Sequence, residues 1–367
     1  MNQTTKIGVV GCGNISNAYF STNAKFSFFD IAACADLNLE AAREKAQKWD
    51  IAKACSVEEL LADDSIEFVI NLTIPQAHGP VMLSCLEAGK SVYTEKPFTV
   101  TRDEAQKINA LAKEKGLRVG SAPDTFLGGA HQTCRQLIDE GAIGTPIGVS
   151  AFMVGRGHES WHPSPEFYYK RGGGPMFDMG PYYLTDLVQM LGPVKSVSGH
   201  TKTSFKQREI TSEPHKGKIM EVEIPTHIVG TFEFAQGAIG TINMSFDVWN
   251  HRLPTLEIYG TEGTLYVPDP NGFGGDVVLK RGREEEETVP LTHPYTDNAR
   301  GIGMADMVRA MQTGRDHRCN ERLAYHVLDL MHAFHDASDQ RTQIQIKSIC
   351  ERPAMLPIGL AEGELDS

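Results

Sequence analysis

The segment KIGVVGCGNIS, residues 6–16, runs from an apolar strand through a two-glycine turn into a helix. Strand and helix patterns then alternate as far as residue 123. Apolar, β-branched stretches at 31–36, 67–73, 91–95 and 117–122 are separated by helix-forming runs at 37–49, 78–89 and 101–116. The last run opens on a capping box, Thr101 with Glu104 three residues on. Strands spaced this way form βαβ units rather than hairpins, so the expected first domain, residues 1–123, is α/β: a doubly wound parallel sheet of the Rossmann type.

Beyond residue 124 the texture changes. A helical run at 130–144 leads into long strand-like segments at 146–155, 196–205, 227–249 and 254–269, joined through glycine-rich turns. This is the mark of a large open, mainly antiparallel sheet. Helical patterns at 181–191, 303–314 and 322–338 complete an α+β domain, residues 124–367, whose last helices are free to return to the first domain.

A chain of 367 residues is too long for one ordinary core, in keeping with two domains. A net charge of -12 argues against nucleic acid, because phosphate contacts need clustered Lys and Arg. No apolar run approaches the roughly 18–20 residues that span a bilayer. The N-terminus enters a strand almost at once and leaves no room for a signal peptide, so the expected compartment is the cytoplasm. The seven cysteines show no C-x-x-C spacing and read as reduced, near-core residues; no metal site is expected.

The chemistry-bearing positions lie at strand ends. Gly11 and Gly13, with Asn14 and Ile15, allow close approach of a pyrophosphate to backbone at the start of a helix. Ser16 stands where a third glycine is usual. Asp36 ends the second strand, where an acid binds the adenosine ribose and repels a 2′-phosphate; Leu37 and Asn38 follow it with no arginine. NAD is favoured over NADP. Thr73 and Pro75 close the third strand and should flank the dinucleotide, with His78 beside them. Glu95, Lys96 and Pro97 sit at the mouth of the fourth strand, where a lysine can stabilise a developing alkoxide. In GGGPMFDMGPYYLTDL, residues 172–187, Pro181 suits the first turn of a helix; Asp178 then falls just before it, and Tyr182 and Asp186 share a face.

Taken together, GVVGCGNIS, CADLNLEAAREKA, TIPQAHGPVMLSCLEAGKSVYTEKPF, LIDEGAIG and GGGPMFDMGPYYLTDLVQMLG resemble the glucose–fructose oxidoreductase / inositol dehydrogenase (Gfo/Idh/MocA) family, in its order and spacing. The resemblance implies a dimer or tetramer formed through the open sheet, and catalysis by the lysine of Glu-Lys-Pro with an Asp-x-x-x-His pair. Lys96 and Asp178 match those positions. Tyr182 stands at the histidine position, as in the glucose–fructose oxidoreductase and dimeric dihydrodiol dehydrogenase branches, where tyrosine exchanges the proton. Asp124 and Thr125 replace an Arg-Phe or Asn-Arg pair at the expected substrate rim. Trp161 and His162, with Tyr168 and Lys170, offer an aromatic and polar surface for a sugar ring, or equally a subunit contact. Asp186 is displaced by one from the family's frequent acid. The implied activity is NAD-dependent oxidation of a secondary hydroxyl on a sugar, glycoside or cyclitol. The alternatives are an NAD-dependent glycosidase acting by transient oxidation and elimination, and a non-catalytic dinucleotide sensor.

Overall fold

The computed structural model describes residues 4–366. By its contacts the chain divides into two compact units. One comprises residues 1–128, 293–325 and 353–367, the other 129–292 and 326–352. The chain thus leaves the first unit and returns to it twice.

The first unit holds a parallel sheet of six strands: β1 (Thr5–Val10), β2 (Phe29–Ala35), β3 (Lys53–Cys55), β4 (Phe68–Asn71), β5 (Ser91–Thr94) and β6 (Val119–Ser121), in the order β3-β2-β1-β4-β5-β6. Five of these follow the apolar runs of the sequence. β3 was not visible there, because three residues with one exposed lysine carry no periodic signal. The order reverses between β1 and β4, the switch point where doubly wound sheets bind ligands. The strands are buried almost throughout, as a sheet covered on both faces requires. The capping box at Thr101 and Glu104 forms as the spacing predicts, with the Glu104 amide on the Thr101 hydroxyl at 3.2 Å.

The C-terminal segment has no pattern in sequence beyond that of a surface tail. In the structure it is anchored to the first unit. The Asp366 carboxylate pairs with the buried Arg318 guanidinium at 2.8 Å, and Leu356 is fully buried.

The second unit holds β7 (Pro146–Val154), β8 (Val194–Lys202), a small ribbon of β9 (Gln207–Glu209) and β10 (Ile219–Glu221), then β11 (His227–Phe234), β12 (Ile239–Ser245), β13 (Leu256–Gly260), β14 (Gly263–Val267), β15 (Val277–Arg281), β16 (Glu287–Val289) and β17 (Ile344–Gln345). All but the ribbon join one nine-stranded sheet, ordered β16-β15-β14-β13-β7-β12-β11-β8-β17. Every pairing in it is antiparallel except β7 with β12. β11 alternates buried and exposed residues, so one face is covered while Val229 and Ile239 stay exposed on the other.

The covered face shows how sequence sets the packing. Gly199 of β8 pairs with Gly230 of β11, and Phe334 of the helix Glu321–Gln340 fills the space their missing side chains leave. A Cβ on Gly230 would lie 2.5 Å from the Phe334 ring, which is fully buried. Removing that ring opens a cavity between flat glycine backbones that cannot collapse inward. Phe334→Ala should therefore cost about 3–5 kcal/mol in denaturant unfolding, and a loss below about 1 kcal/mol would contradict this packing.

Candidate functional site

In the first unit the glycine turn closes on the switch point. Gly11 adopts φ of +101°, and a Cβ there would meet the Leu72 carbonyl carbon at 2.6 Å, so only glycine lets β1 end against β4. Gly13, Asn14 and Ile15 are exposed, and nothing lies within 4 Å of a Cβ placed on Gly13. Ser16 is buried, its hydroxyl donating to the Gly13 carbonyl at 2.7 Å.

Asp36 is half-buried at the end of β2. One carboxylate oxygen accepts the Cys12 amide at 2.7 Å and the other the Asn38 amide at 2.8 Å. Each oxygen keeps further acceptor capacity for a ribose hydroxyl. Among the described residues it enters no ion pair, and Arg43 is engaged with Glu40 at 3.3 Å. These features fit NAD: room against the glycine backbone, and an acid placed for the ribose that would repel a 2′-phosphate. Leu37 at 99% exposure and Ile74 at 61% flank the same strand ends.

After β4, Thr73 is half-buried and donates its hydroxyl to Asn71 at 2.7 Å, while Pro75 begins the helix Pro75–Glu87. His78 was expected to touch the cofactor. It is fully buried instead, with Nδ1 2.7 Å from the Pro97 carbonyl and Nε2 3.0 Å from the Thr73 carbonyl. Burial pushes its pKa down. It ties the loop after β4 to the loop after β5.

Glu95 is likewise turned inward. Its carboxylate accepts the Tyr19 hydroxyl at 2.7 Å and the Lys96 amide at 3.0 Å. This anchors the end of β5 to the helix Ser16–Thr22. The Lys96–Pro97 peptide is cis, and Pro97 is buried. From Ser91 to Val100 every residue is buried except Lys96. Of the charged pair at the strand mouth, the acid holds the turn and Lys96 stays half-buried.

Asp124 was placed on a substrate rim. It is only 2% exposed, and one carboxylate oxygen accepts the amides of Gly301 at 2.8 Å and Gly303 at 3.0 Å, at the start of the helix Ile302–Thr313. Burial raises its pKa to about 6, against the lowering effect of those two amides.

In the second unit Asp178 falls just before the helix Gly180–Leu191, as expected, and itself ends the short helix Gly174–Asp178; Tyr182 lies in the first turn of the longer helix. Both are largely buried. The loop after β7 brings the His158 imidazole to Asp178, Nε2 to Oδ2 at 3.0 Å. Sequence reasoning missed His158, which lies 20 residues upstream with no spacing signal. Trp161 is 63% exposed, and the His162 ring lies 5.4 Å from it and 5.3 Å from Tyr168. Asp186, expected toward substrate, is instead 1% exposed and pairs with the buried His131 at 2.8 Å. Burial opposes charge on His131, but the Asp186 carboxylate outweighs it and its pKa is raised. Gln189 donates to the other Asp186 oxygen at 3.0 Å.

Comparison with known proteins gives a consistent picture. Residues 5–122 match the model of an oxidoreductase family with an NAD-binding Rossmann fold, and residues 131–266 match the GFO/IDH/MocA C-terminal domain. A trans-1,2-dihydrobenzene-1,2-diol dehydrogenase of Mus musculus is 30% identical over 264 residues, 71% of this chain and 73% of the relative. A D-xylose dehydrogenase of Paenarthrobacter nicotinovorans is 24% identical over 336 residues, 84% of each. A levoglucosan dehydrogenase solved with NADH and L-sorbose superposes at a TM-score of 0.83 with 18% identity, over 95% of this chain and all (100%) of that one, and shares the fold.

Asp124 yields a stability test. Its native pKa of about 6 exceeds the ordinary 3.8, so the folded state holds its proton longer than the unfolded chain. Its contribution is present below about pH 4 and is lost as pH rises to 6. The stability advantage of wild type over Asp124→Asn should therefore shrink by about 3 kcal/mol between pH 4 and pH 7. An advantage that grows over that range in denaturant titrations would show that the carboxylate is ionised in the native protein.

Proposed function

Because the chain belongs to the GFO/IDH/MocA family of NAD-binding oxidoreductases, we propose that it oxidises a secondary hydroxyl, or reduces the matching ketone, on a sugar, glycoside or cyclitol. Bound NAD supplies the acceptor for the hydride that leaves the carbon. Gly11 and Gly13, with Asn14 and Ile15, would receive the pyrophosphate, and Asp36 the adenosine ribose. Thr73 and Pro75 would flank the dinucleotide.

Lys96, Asp178 and Tyr182 carry the proton chemistry in this reading. A phenol has a reference pKa near 10 and needs a cation to act as a base at neutral pH. Lys96 is that cation, and its ammonium also stabilises the developing alkoxide. Tyr182 accepts the hydroxyl proton, and Asp178 orients the reacting groups. Trp161 and His162 offer a partly open aromatic face to a sugar ring.

The observation that carries the proposal is the presentation of Lys96. A buried acid and a buried proline hold the turn, and the lysine alone emerges. The relatives named for sugar and diol substrates support the substrate class. A homodimer or homotetramer through the open sheet face is part of the proposal, supported by exposed Val229 and Ile239 on it. So is a reducing, cytoplasmic setting, supported by seven free, buried cysteines.

The test is NAD reduction, followed optically, against a panel of sugars, glycosides and inositols. Lys96→Met should lower kcat about 10²–10⁴-fold, the usual span for a proton-handling group. Its NADH Kd should stay within about threefold of wild type, a change of under 1 kcal/mol. Wild-type turnover by that variant overturns the assignment of Lys96. Cleavage of a nitrophenyl glycoside without net NADH would replace oxidation by redox-assisted elimination, and NADH binding with no turnover would indicate a sensor.

A further inference from the structure

We infer that His158 is a positioning residue of this reaction: from the loop after β7 it supplies to Asp178 an imidazole that the helix, with tyrosine at 182, does not provide. The inference rests on the reading of Asp178 as a reacting-site group.

The geometry is that of a fixed donor. Nε2 of His158 lies 3.0 Å from Oδ2 of Asp178, with the two side chains only 13% and 9% exposed. A hydrogen bond to a carboxylate places the ring proton on Nε2. Nδ1 is buried and meets no hydrogen-bond partner among the described residues. The geometry therefore gives the ring one hydrogen-bond role, Nε2 donating to Asp178.

The ring cannot easily turn away. Tyr168 lies 3.9 Å from it, Phe246 4.7 Å and Trp161 5.1 Å, centroid to centroid. The next residue fastens the loop: the buried Glu159 pairs with Arg208 and accepts the Tyr169 hydroxyl, and its carbonyl accepts the amides of Thr211 at 2.8 Å and Ser212 at 3.1 Å. Arg208 in turn pairs with Asp247. A buried cluster of this kind locks the loop, because freeing any member strands a charge.

His326, in the same unit, uses both nitrogens, Nε2 accepting the Val194 amide at 3.1 Å and Nδ1 meeting the Ser348 hydroxyl at 2.8 Å, while His335 keeps a buried Nε2 with no hydrogen-bond partner among the described residues. At His158 the one hydrogen-bond partner among the described residues is the carboxylate of the proposed site.

The experiment compares His158→Phe, which keeps a ring but no donor, with His158→Gln, whose amide can donate from near the Nε2 position. Kinetics use the fastest substrate of the sugar panel, and Asp178→Asn runs beside them. His158→Phe should lower kcat about 10- to 100-fold, the range of a lost hydrogen bond to a charged group. KM and the NADH Kd should stay within about threefold, and His158→Gln should recover to within about fivefold of wild-type kcat. Ring-15N histidine NMR should show the Nε2-protonated form of His158 in wild type and lose that signature in Asp178→Asn.

Wild-type kcat in His158→Phe while Asp178→Asn is inactive overturns this inference alone. So does a His158→Gln variant as slow as His158→Phe, since the donor would then not be what matters. Full turnover by Asp178→Asn, or silence of wild type across the panel, overturns the preceding reading and this inference with it.

Discussion

The first unit depends on an atom that is absent. Without a side chain on Gly11, β1 ends directly against the backbone at the end of β4, 2.6 Å from where a Cβ would stand. That contact sets the switch point of the sheet, and the neighbouring positions follow from it. The Cys12 amide reaches Asp36 on one side, and the loop after β4 is bound by Asn71 and His78 on the other. The result is a row of strand ends where Gly13, Asn14 and Ile15 are exposed and Asp36, Thr73, Pro75 and Lys96 half-buried, while the residues supporting them are buried. Function is built on what glycine leaves out.

Buried carboxylates do the rest of the positioning, and each acquires its role from the donors it meets. An acid taken out of water must be paired or protonated. Glu95 accepts a phenol and an amide, and so fixes the Lys96 turn. Asp124 accepts two amides at a helix start, and burial still drives its pKa to about 6. Asp186 meets His131, and Glu159 meets Arg208. Asp178 meets His158. As residue types these acids are interchangeable; as sites they are a latch, a cap, a core pair, a loop fastener and a candidate for chemistry.

The same distinction explains which parts of the site could be read beforehand. The glycine turn, Asp36 and the Glu-Lys-Pro turn were legible as structure because their placement at strand ends follows from local spacing. Asp124 and Asp186 misled because polarity suggests exposure, and their burial comes from partners 177 and 55 positions away in the chain, Gly301 and His131. His158 was invisible for the same reason: its partner lies across a loop, with no periodicity linking the two. Short strands such as β3 and the β9–β10 ribbon were missed because three residues cannot display a period.

The sequence by itself determined the alternation of strands and helices, the parallel sheet, the passage to a mainly antiparallel one, and the family. Those depend on short-range preferences and on motifs written in order along the chain. Only the tertiary structure decided which charged side chains face solvent, which are spent inside, and which histidine lies against Asp178. Those depend on desolvation and on donors brought together from distant segments, and neither exists until the chain has folded.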